Sequence, residues 1–204
     1  MASNSKIMAE HIFPSATLVD FNERQKMMKQ KPMIIWLTGL SGSGKTSIAQ
    51  KLEVQLLSEG FKVFLLDGDS LRDGLNKDLG FTVEDRKENI RRAGEICKLF
   101  FNAGMTVITS FISPLEEDRR KVRSLFPPGS FVEVYVNTPL EVCEARDVKG
   151  LYSKARAGII NNFTGISSPY EVPHKAEVVI DTTFFSIDEC VYKLRNQLDL
   201  KIDN

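Results

Sequence analysis

A glycine-rich run near the start of the chain has the residue types and spacing of a phosphate-binding loop. It matches GxxxxGK[ST] and lies between an apolar segment and a helical pattern. Glycines let backbone N–H groups turn toward phosphate oxygens, and the following helix adds its positive end. We expect ATP to bind here with Mg²⁺, with the Lys45 ammonium on the β- and γ-phosphates and the Thr46 hydroxyl on the metal ion. The predicted nucleotide-binding residues are Gly39, Leu40, Ser41, Gly42, Ser43, Gly44, Lys45, Thr46 and Ser47.

Two carboxylates follow the next apolar segment. Asp67 and Asp69 come directly after Leu66, at the edge where the strands of a parallel sheet end and where such folds bind ligands. One carboxylate can organise water on Mg²⁺ while the other accepts the proton of an attacking hydroxyl group. Taken alone, the pair could equally cap the next helix.

The rest of the chain favours a small kinase over other phosphate-binding classes. A GTPase needs Asn-Lys-x-Asp to read guanine, and the nearest run, 76–79, has leucine in place of the aspartate. An ATPase motor would be longer and would carry further arginine-finger and sensor segments. The acceptor of the phosphoryl group must therefore be inferred from the remaining polar residues.

Alternating strand and helix patterns predict the scaffold that positions these residues. The predicted strands are Met33–Thr38, Lys62–Asp67, Met105–Ile112, Phe131–Asn137 and Glu177–Asp181. The predicted helices are Lys45–Glu59, Val83–Ala103, Leu115–Leu125, Leu140–Arg146 and Ile187–Leu198. This order predicts a doubly wound, mainly parallel five-stranded α/β sheet with helices on both faces, typical of P-loop kinases.

Residues 1–31 are predicted to be an irregular N-terminal arm, and 32–204 a single domain. The irregular stretch 147–176 is typical of a mobile lid, which we place at about 146–170.

Composition and charge argue against several other classes. The 204 residues carry 27 Lys and Arg against 27 Asp and Glu, which disfavours a protein that coats nucleic acid or an anionic membrane. The longest clean apolar run, 33–37, is far shorter than the roughly 20 residues of a membrane-spanning helix. The first residues contain no signal core, so we expect a cytoplasmic protein. Cys97, Cys143 and Cys190 lie far apart and are expected to be reduced and mostly buried.

Four blocks of the chain, in order, resemble the adenylyl-sulfate kinase family. They are Asp67–Arg92, Ser110–Pro114, Ala145–Tyr152 and Asn162–Glu171, within a resemblance that extends from about residue 31 to residue 182. The resemblance implies that MgATP phosphorylates the 3′-hydroxyl group of adenylyl sulfate, giving 3′-phosphoadenylyl sulfate in sulfate assimilation. It also implies a homodimer, and association with the sulfate-adenylating enzyme is a further expectation.

The resemblance assigns roles to individual residues. Asp69 would orient or deprotonate the 3′-hydroxyl group, Asp67 would lie nearer the metal, and Arg146 would lie at the ATP end of the lid. The predicted catalytic residues are Lys45, Asp69 and Ser113. The predicted substrate-binding residues are Asp69, Arg72, Phe81, Arg86, Asn89, Ile112, Ser113, Lys149 and Phe163. Among these, the two phenylalanines would stack on the base and the cations would meet the anionic groups.

Two positions within these blocks bear on the route of transfer and on the lid. Ser113 matches the family's phosphoserine position, although direct transfer in one site that holds both substrates in line is the expected route. Val148 stands where the family usually has proline, which should affect the dynamics of the lid and not the chemistry.

Two alternative functions remain at this stage. A P-loop kinase could act on another nucleotide or on a small hydroxylated metabolite, since such kinases differ in the acceptor pocket. The chain could also be an inactive nucleotide-binding subunit that regulates a partner. The block with Phe81, Arg86 and Asn89 argues against the first alternative, and the intact set of Lys45 with the two aspartates argues against the second. Outside the family context, the phenylalanines could be packing residues and the arginines a solvated helix face.

Overall fold

A computed structural model describes residues 18–201 and contains one sheet of five parallel strands. The strands are β1 (Ile34–Thr38), β2 (Val63–Asp67), β3 (Thr106–Ser110), β4 (Phe131–Val136) and β5 (Val178–Ile180). Their order across the sheet is β2-β3-β1-β4-β5. The prediction of a five-stranded parallel sheet is confirmed, with each strand shortened by one to three residues relative to its predicted run.

Eight helices connect and cover the strands within the described range. They are α1 (Phe21–Met28), α2 (Lys45–Ser58), α3 (Gly68–Asp73), α4 (Val83–Asn102), α5 (Glu116–Arg123), α6 (Leu140–Arg146), α7 (Leu151–Arg156) and α8 (Ile187–Arg195). No helix among residues 18–201 is long and apolar enough to cross a membrane.

The sheet separates two hydrophobic cores, because successive side chains of a strand point to opposite faces. In β1, Ile35 and Leu37 pack with residues of α2 and α8, among them Ile48, Leu52 and Leu194. Ile34 and Trp36 pack on the other face with residues of α4, among them Ile90, Ala93 and Phe101. The helices therefore lie on both faces of the sheet, as the doubly wound arrangement requires.

Helix α4 begins at Val83, as the sequence predicts. The Thr82 side chain accepts a hydrogen bond from the Asp85 N–H at 3.1 Å, which satisfies one of the free donors of the first turn. The helix then presents Cys97 to the core at 0% exposure. Cys97, Cys143 and Cys190 are all free and buried, as expected.

Two segments expected to be irregular contain helices. The prediction for residues 1–31 is wrong over α1, where Asp20 and Glu23 form a capping box, and Phe21 stacks on Phe101 with ring centroids 5.1 Å apart. Residues 1–17 lie outside the described range. Within 147–176, the short helix α7 forms because Asp147 accepts hydrogen bonds from the N–H groups of Tyr152 and Ser153.

Candidate active site

The predicted phosphate loop lies between β1 and α2, at the carboxyl edge of the sheet. Gly39 and Gly44 have φ angles of 150° and 97°, a region that side-chain-bearing residues rarely adopt. A Cβ atom at Gly39 would lie 2.7 Å from the Val136 carbonyl oxygen, so only glycine fits there. Gly44 caps α2 without a side-chain hydrogen bond, and the first N–H groups of α2 remain available to an anion.

Lys45 is buried under the loop. Its Nζ atom donates to the Leu40 carbonyl at 2.6 Å and to Ser43 Oγ at 3.4 Å. Burial lowers the pKa of Lys45 to about 8, because desolvation disfavours the charged form. A polyphosphate would supply the negative charge that favours the ammonium form.

Three oxygen-bearing side chains lie at the end of β2, at the end of β3 and at the start of α2. Asp67 and Ser110 are register partners of the neighbouring strands β2 and β3, and Ser110 Oγ lies 3.0 Å from Thr46 Oγ1. Hydroxyl and carboxylate oxygens are the protein ligands that Mg²⁺ takes beside substrate phosphates and water. The donor set therefore fits Mg²⁺, with Ser110 added to the predicted Thr46 and Asp67.

Asp67 and Asp69 have different surroundings. Asp67 caps α3, and one of its carboxylate oxygens accepts from the N–H groups of Asp69 at 3.0 Å and of Ser70 at 3.3 Å. The Asp69 carboxylate is exposed and pairs with the Lys149 ammonium, 80 residues further along the chain. The helix-capping interpretation thus applies to Asp67, while the Asp69 carboxylate is exposed to solvent and paired with Lys149.

The acceptor-side arginines bind backbone carbonyls. The Arg72 guanidinium donates to the Gly80 carbonyl at 2.8 Å and lies 4.6 Å from the ring centroid of the exposed Phe81. Arg86 donates to the carbonyls of Phe81 at 3.1 Å and Asn162 at 2.5 Å, and to the Thr164 hydroxyl at 2.5 Å. Burial lowers the pKa of both arginines. Arg86 therefore ties α4 to the segment predicted to be the lid.

Three predicted substrate-binding residues are buried. Phe163 packs edge-on against Tyr152, with ring centroids 5.0 Å apart. Asn89 is 5% exposed and accepts from the Asn76 amide at 3.0 Å. Ser113 is 2% exposed, with a φ angle of 38°, and its hydroxyl oxygen accepts from Trp36 Nε1 at 3.1 Å. Ile112, its neighbour, is half-buried and accepts through its carbonyl from Thr38.

The beginning of the predicted lid lies against the phosphate loop. Arg146 donates to the carbonyls of Gly42 at 3.3 Å and Thr182 at 2.7 Å, which places it beside the phosphate loop. The Tyr152 hydroxyl donates to the Ser41 carbonyl at 2.9 Å. Burial raises the pKa of Tyr152, so this hydroxyl remains a hydrogen-bond donor.

Several side chains that the sequence analysis did not select support this site. Thr182 and Thr138 both donate to the Ser43 carbonyl, at 2.9 and 3.2 Å, and hold the loop from behind. Ser110 and Tyr152 lie inside blocks that carry the family resemblance, so their blocks were a usable signal. Thr138 and Thr182 lie two residues after the ends of β4 and β5, and their place beyond the carboxyl ends of strands is the signal that could have found them.

The chain matches one protein family over most of its length. A model of the adenylylsulphate kinase family matches residues 31–181. The adenylyl-sulfate kinase of Marinobacter nauticus is 58% identical over 172 residues, which are 84% of this chain and 86% of that protein.

Two solved structures extend the comparison. The Mycobacterium tuberculosis APS kinase in complex with AMPPNP and APS is 45% identical, with a TM-score of 0.79 over 82% of this chain and 97% of that chain. The hexameric APS kinase from Thiobacillus denitrificans is 31% identical, with a TM-score of 0.65 over 87% of this chain and 31% of that chain. Since the family model spans most of the sequence and the described fold agrees with these structures, the chain belongs to the adenylylsulphate kinase family.

Proposed function

We propose that this enzyme transfers the γ-phosphoryl group of MgATP to the 3′-hydroxyl group of adenylyl sulfate. The bond between the γ-phosphorus and the β,γ-bridging oxygen breaks, and a bond forms between phosphorus and the ribose 3′-oxygen. The products are ADP and 3′-phosphoadenylyl sulfate, and the hydroxyl proton goes to Asp69. The observation that carries this proposal is the meeting of the Asp69 carboxylate with Lys149 at the carboxyl edge that also holds the phosphate loop.

The donor side of the proposed reaction depends on the phosphate loop. Backbone N–H groups of Gly39–Ser47 bind the phosphate oxygens, and Lys45 neutralises charge that develops between the β- and γ-phosphates. Arg146 closes this side through its bonds to Gly42 and Thr182. When bound, Mg²⁺ neutralises phosphate charge, and Thr46, Ser110 and Asp67 would hold it.

The acceptor side orients the ribose of adenylyl sulfate. Asp69 accepts the proton of the attacking hydroxyl group, and Lys149 holds that carboxylate until the substrate enters. The exposed Phe81 ring offers a stacking face for the base. The proposed substrate-binding residues also include Arg72, Arg86, Asn89, Ile112, Ser113 and Phe163.

Several of these residues act through the walls of the pocket. Arg86, Asn89 and Phe163 fix the segments that enclose the substrate, because their polar atoms or rings already contact protein groups. Closure of the segment 146–170 over both substrates would exclude water and limit hydrolysis of ATP. Ser113 serves as a hydrogen-bonding group in direct transfer, since its hydroxyl is buried against Trp36.

We also propose the wider setting of the enzyme. Residues 32–204 form a single catalytic domain that acts as a homodimer in the cytoplasm, in sulfate assimilation. A hexameric relative exists, so sedimentation of the purified protein is the direct test of the dimer. Co-purification with the sulfate-adenylating enzyme tests the expected association.

The acceptor is tested by an assay of ADP release with MgATP and four acceptors: adenylyl sulfate, AMP, a nucleoside and gluconate. We expect a strong preference for adenylyl sulfate, with one phosphate added according to the mass of the product. A preference for another acceptor would leave the P-loop kinase fold intact and contradict the proposed pocket. ATP binding without turnover of any acceptor would favour an inactive regulatory subunit.

A further inference from the structure

Arg119, on α5, is a buried arginine to which the proposed mechanism gives no role. Its side chain is 2% exposed, and each of its donor nitrogens has a different partner. Nε donates to Glu133 at 2.7 Å, one terminal nitrogen to the Ser113 carbonyl at 2.7 Å, and the other to the Glu171 carbonyl at 2.8 Å. The guanidinium thus joins β4, the turn after β3 and the segment that follows the proposed lid.

The turn after β3, at Ile112 and Ser113, is one of the two irregular segments that Arg119 joins. Ser113 has a φ angle of 38°, and a residue other than glycine holds this conformation only when surrounding contacts fix it. The Thr38 hydroxyl donates to the Ile112 carbonyl at 2.7 Å, directly before the phosphate loop. The bond from Arg119 to the Ser113 carbonyl is therefore one of the contacts that fix this turn.

The second segment is formed by Tyr170 and Glu171, where the proposed lid ends and the chain continues. The Glu171 N–H donates to the Pro114 carbonyl at 2.8 Å, and the Glu171 carboxylate accepts from the Glu116 N–H at 2.6 Å. The Tyr170 hydroxyl lies 2.9 Å from Thr38 Oγ1, and Arg119 lies 5.9 Å from the Tyr170 ring centroid. Arg119 is thus the centre of a junction between the turn and the end of the lid.

A neighbouring arginine shares the anion but not the junction. Arg123 lies one turn further along α5, donates to Glu133 at 3.3 Å, and pairs with Glu177 at 2.6 Å. Its hydrogen bonds go to β4 and to Glu177, directly before β5, and not to the turn or to Glu171. A substitution of Arg123 therefore shows the structural effect of losing an arginine that pairs with Glu133. It leaves the junction at Arg119 in place.

We propose that Arg119 is a positioning residue for the acceptor, which holds the Ile112–Ser113 turn and the end of the lid in one fixed arrangement. This inference rests on the proposed function, because it assigns that turn to the adenylyl sulfate side of the site. The planar fork of arginine suits this role, since three partners lie in three directions around one buried group. The nucleotide side has its own anchor in Arg146, which bonds Gly42 and Thr182.

The test compares Arg119→Lys with Arg123→Lys in the full-length enzyme. Lysine at position 119 keeps a positive charge beside Glu133 but cannot donate to the Ser113 and Glu171 carbonyls in the same geometry. For Arg119→Lys we expect KM for adenylyl sulfate to rise about tenfold while KM for ATP changes less than about twofold, since misplacement of a binding group costs mainly the ligand it orients. For Arg123→Lys we expect lower stability in urea without this difference between the two KM values.

Other outcomes overturn the proposal. Equal changes in both KM values, no change in either, or the same difference in Arg123→Lys would show that Arg119 only stabilises the fold. If Arg119→Lys does not fold, Glu171→Ala tests the same junction, because it removes the carboxylate that accepts from the Glu116 N–H on α5 and keeps the carbonyl that accepts from Arg119. We expect it to raise KM for adenylyl sulfate about threefold, consistent with loss of one hydrogen bond, and an unchanged value contradicts the junction. Inactivity of the wild-type enzyme toward adenylyl sulfate would instead refute the proposed function.

Discussion

Replacement of Arg86 by alanine tests how the acceptor side is held together. The half-buried Arg86 guanidinium makes two hydrogen bonds to the proposed lid, with the Asn162 carbonyl and the Thr164 hydroxyl, both at 2.5 Å. It makes a third bond to the Phe81 carbonyl, at 3.1 Å. Arg86→Ala removes all three bonds and leaves the phosphate loop unchanged.

The magnitude follows from the two bonds to the lid. A hydrogen bond from a charged donor contributes about 1.5–3 kcal/mol when it is well buried, and partial exposure reduces that value. We take about 1 kcal/mol for each bond, or about 2 kcal/mol for the pair, which corresponds to about 30-fold in an equilibrium constant. KM for adenylyl sulfate should therefore rise about 30-fold, while KM for ATP changes less than about threefold.

The assay is steady-state kinetics with each substrate varied in turn. Arg91→Ala is the matched control, because Arg91 lies on the same helix, is exposed, and bonds Glu88 at 2.7 and 2.8 Å. The control should leave both KM values unchanged. Equal increases in the two KM values of Arg86→Ala would refute the assignment of Arg86 to the acceptor side.

Three further predictions concern the nucleotide loop and the acceptor carboxylate. Asp69→Asn should lower kcat about 100-fold with little change in either KM, because an amide cannot accept the proton; steady-state kinetics with the exposed Asp73→Asn as control checks this. Burial lowers the pKa of Lys45 to about 8, so the free enzyme loses the ammonium proton above that pH and bound phosphate restores it. MgATP binding should therefore take up a proton above pH about 8 and none below pH about 7. Calorimetry in two buffers of different ionisation enthalpy measures that uptake, and its absence at both pH values contradicts the assignment. Tyr152→Phe should lower the free energy of unfolding by about 1 kcal/mol through loss of the bond to Ser41, measured in urea against Tyr192→Phe, where the side chain is exposed.

Local patterns in the sequence predicted the sheet and the phosphate loop. The strands are short apolar runs, a pattern typical of parallel sheets, and the central strands β1 and β3 are buried at all five positions. The loop motif carries its own context, since a strand precedes it and a helix follows. For the same reason, Lys45 and Thr46 could be placed from the sequence alone.

The remaining features depend on contacts between distant residues. Helix α1 is only eight residues long, and its Phe21 ring packs on Phe101, 80 positions away in the chain. The burial of Ser113 depends on Trp36, and Arg86 meets Thr164 across 78 residues. A single sequence does not show which distant residues come into contact. The types of these residues were therefore predictable, and their surroundings were not.

The measurement that tests the central claim most directly is the identity of the product formed from MgATP and an equimolar mixture of adenylyl sulfate and AMP. Mass and phosphorus NMR identify which acceptor gained a phosphate and on which oxygen. We predict 3′-phosphoadenylyl sulfate together with an equal amount of ADP. Phosphorylated AMP, or ADP released without a phosphorylated acceptor, would contradict the proposed function.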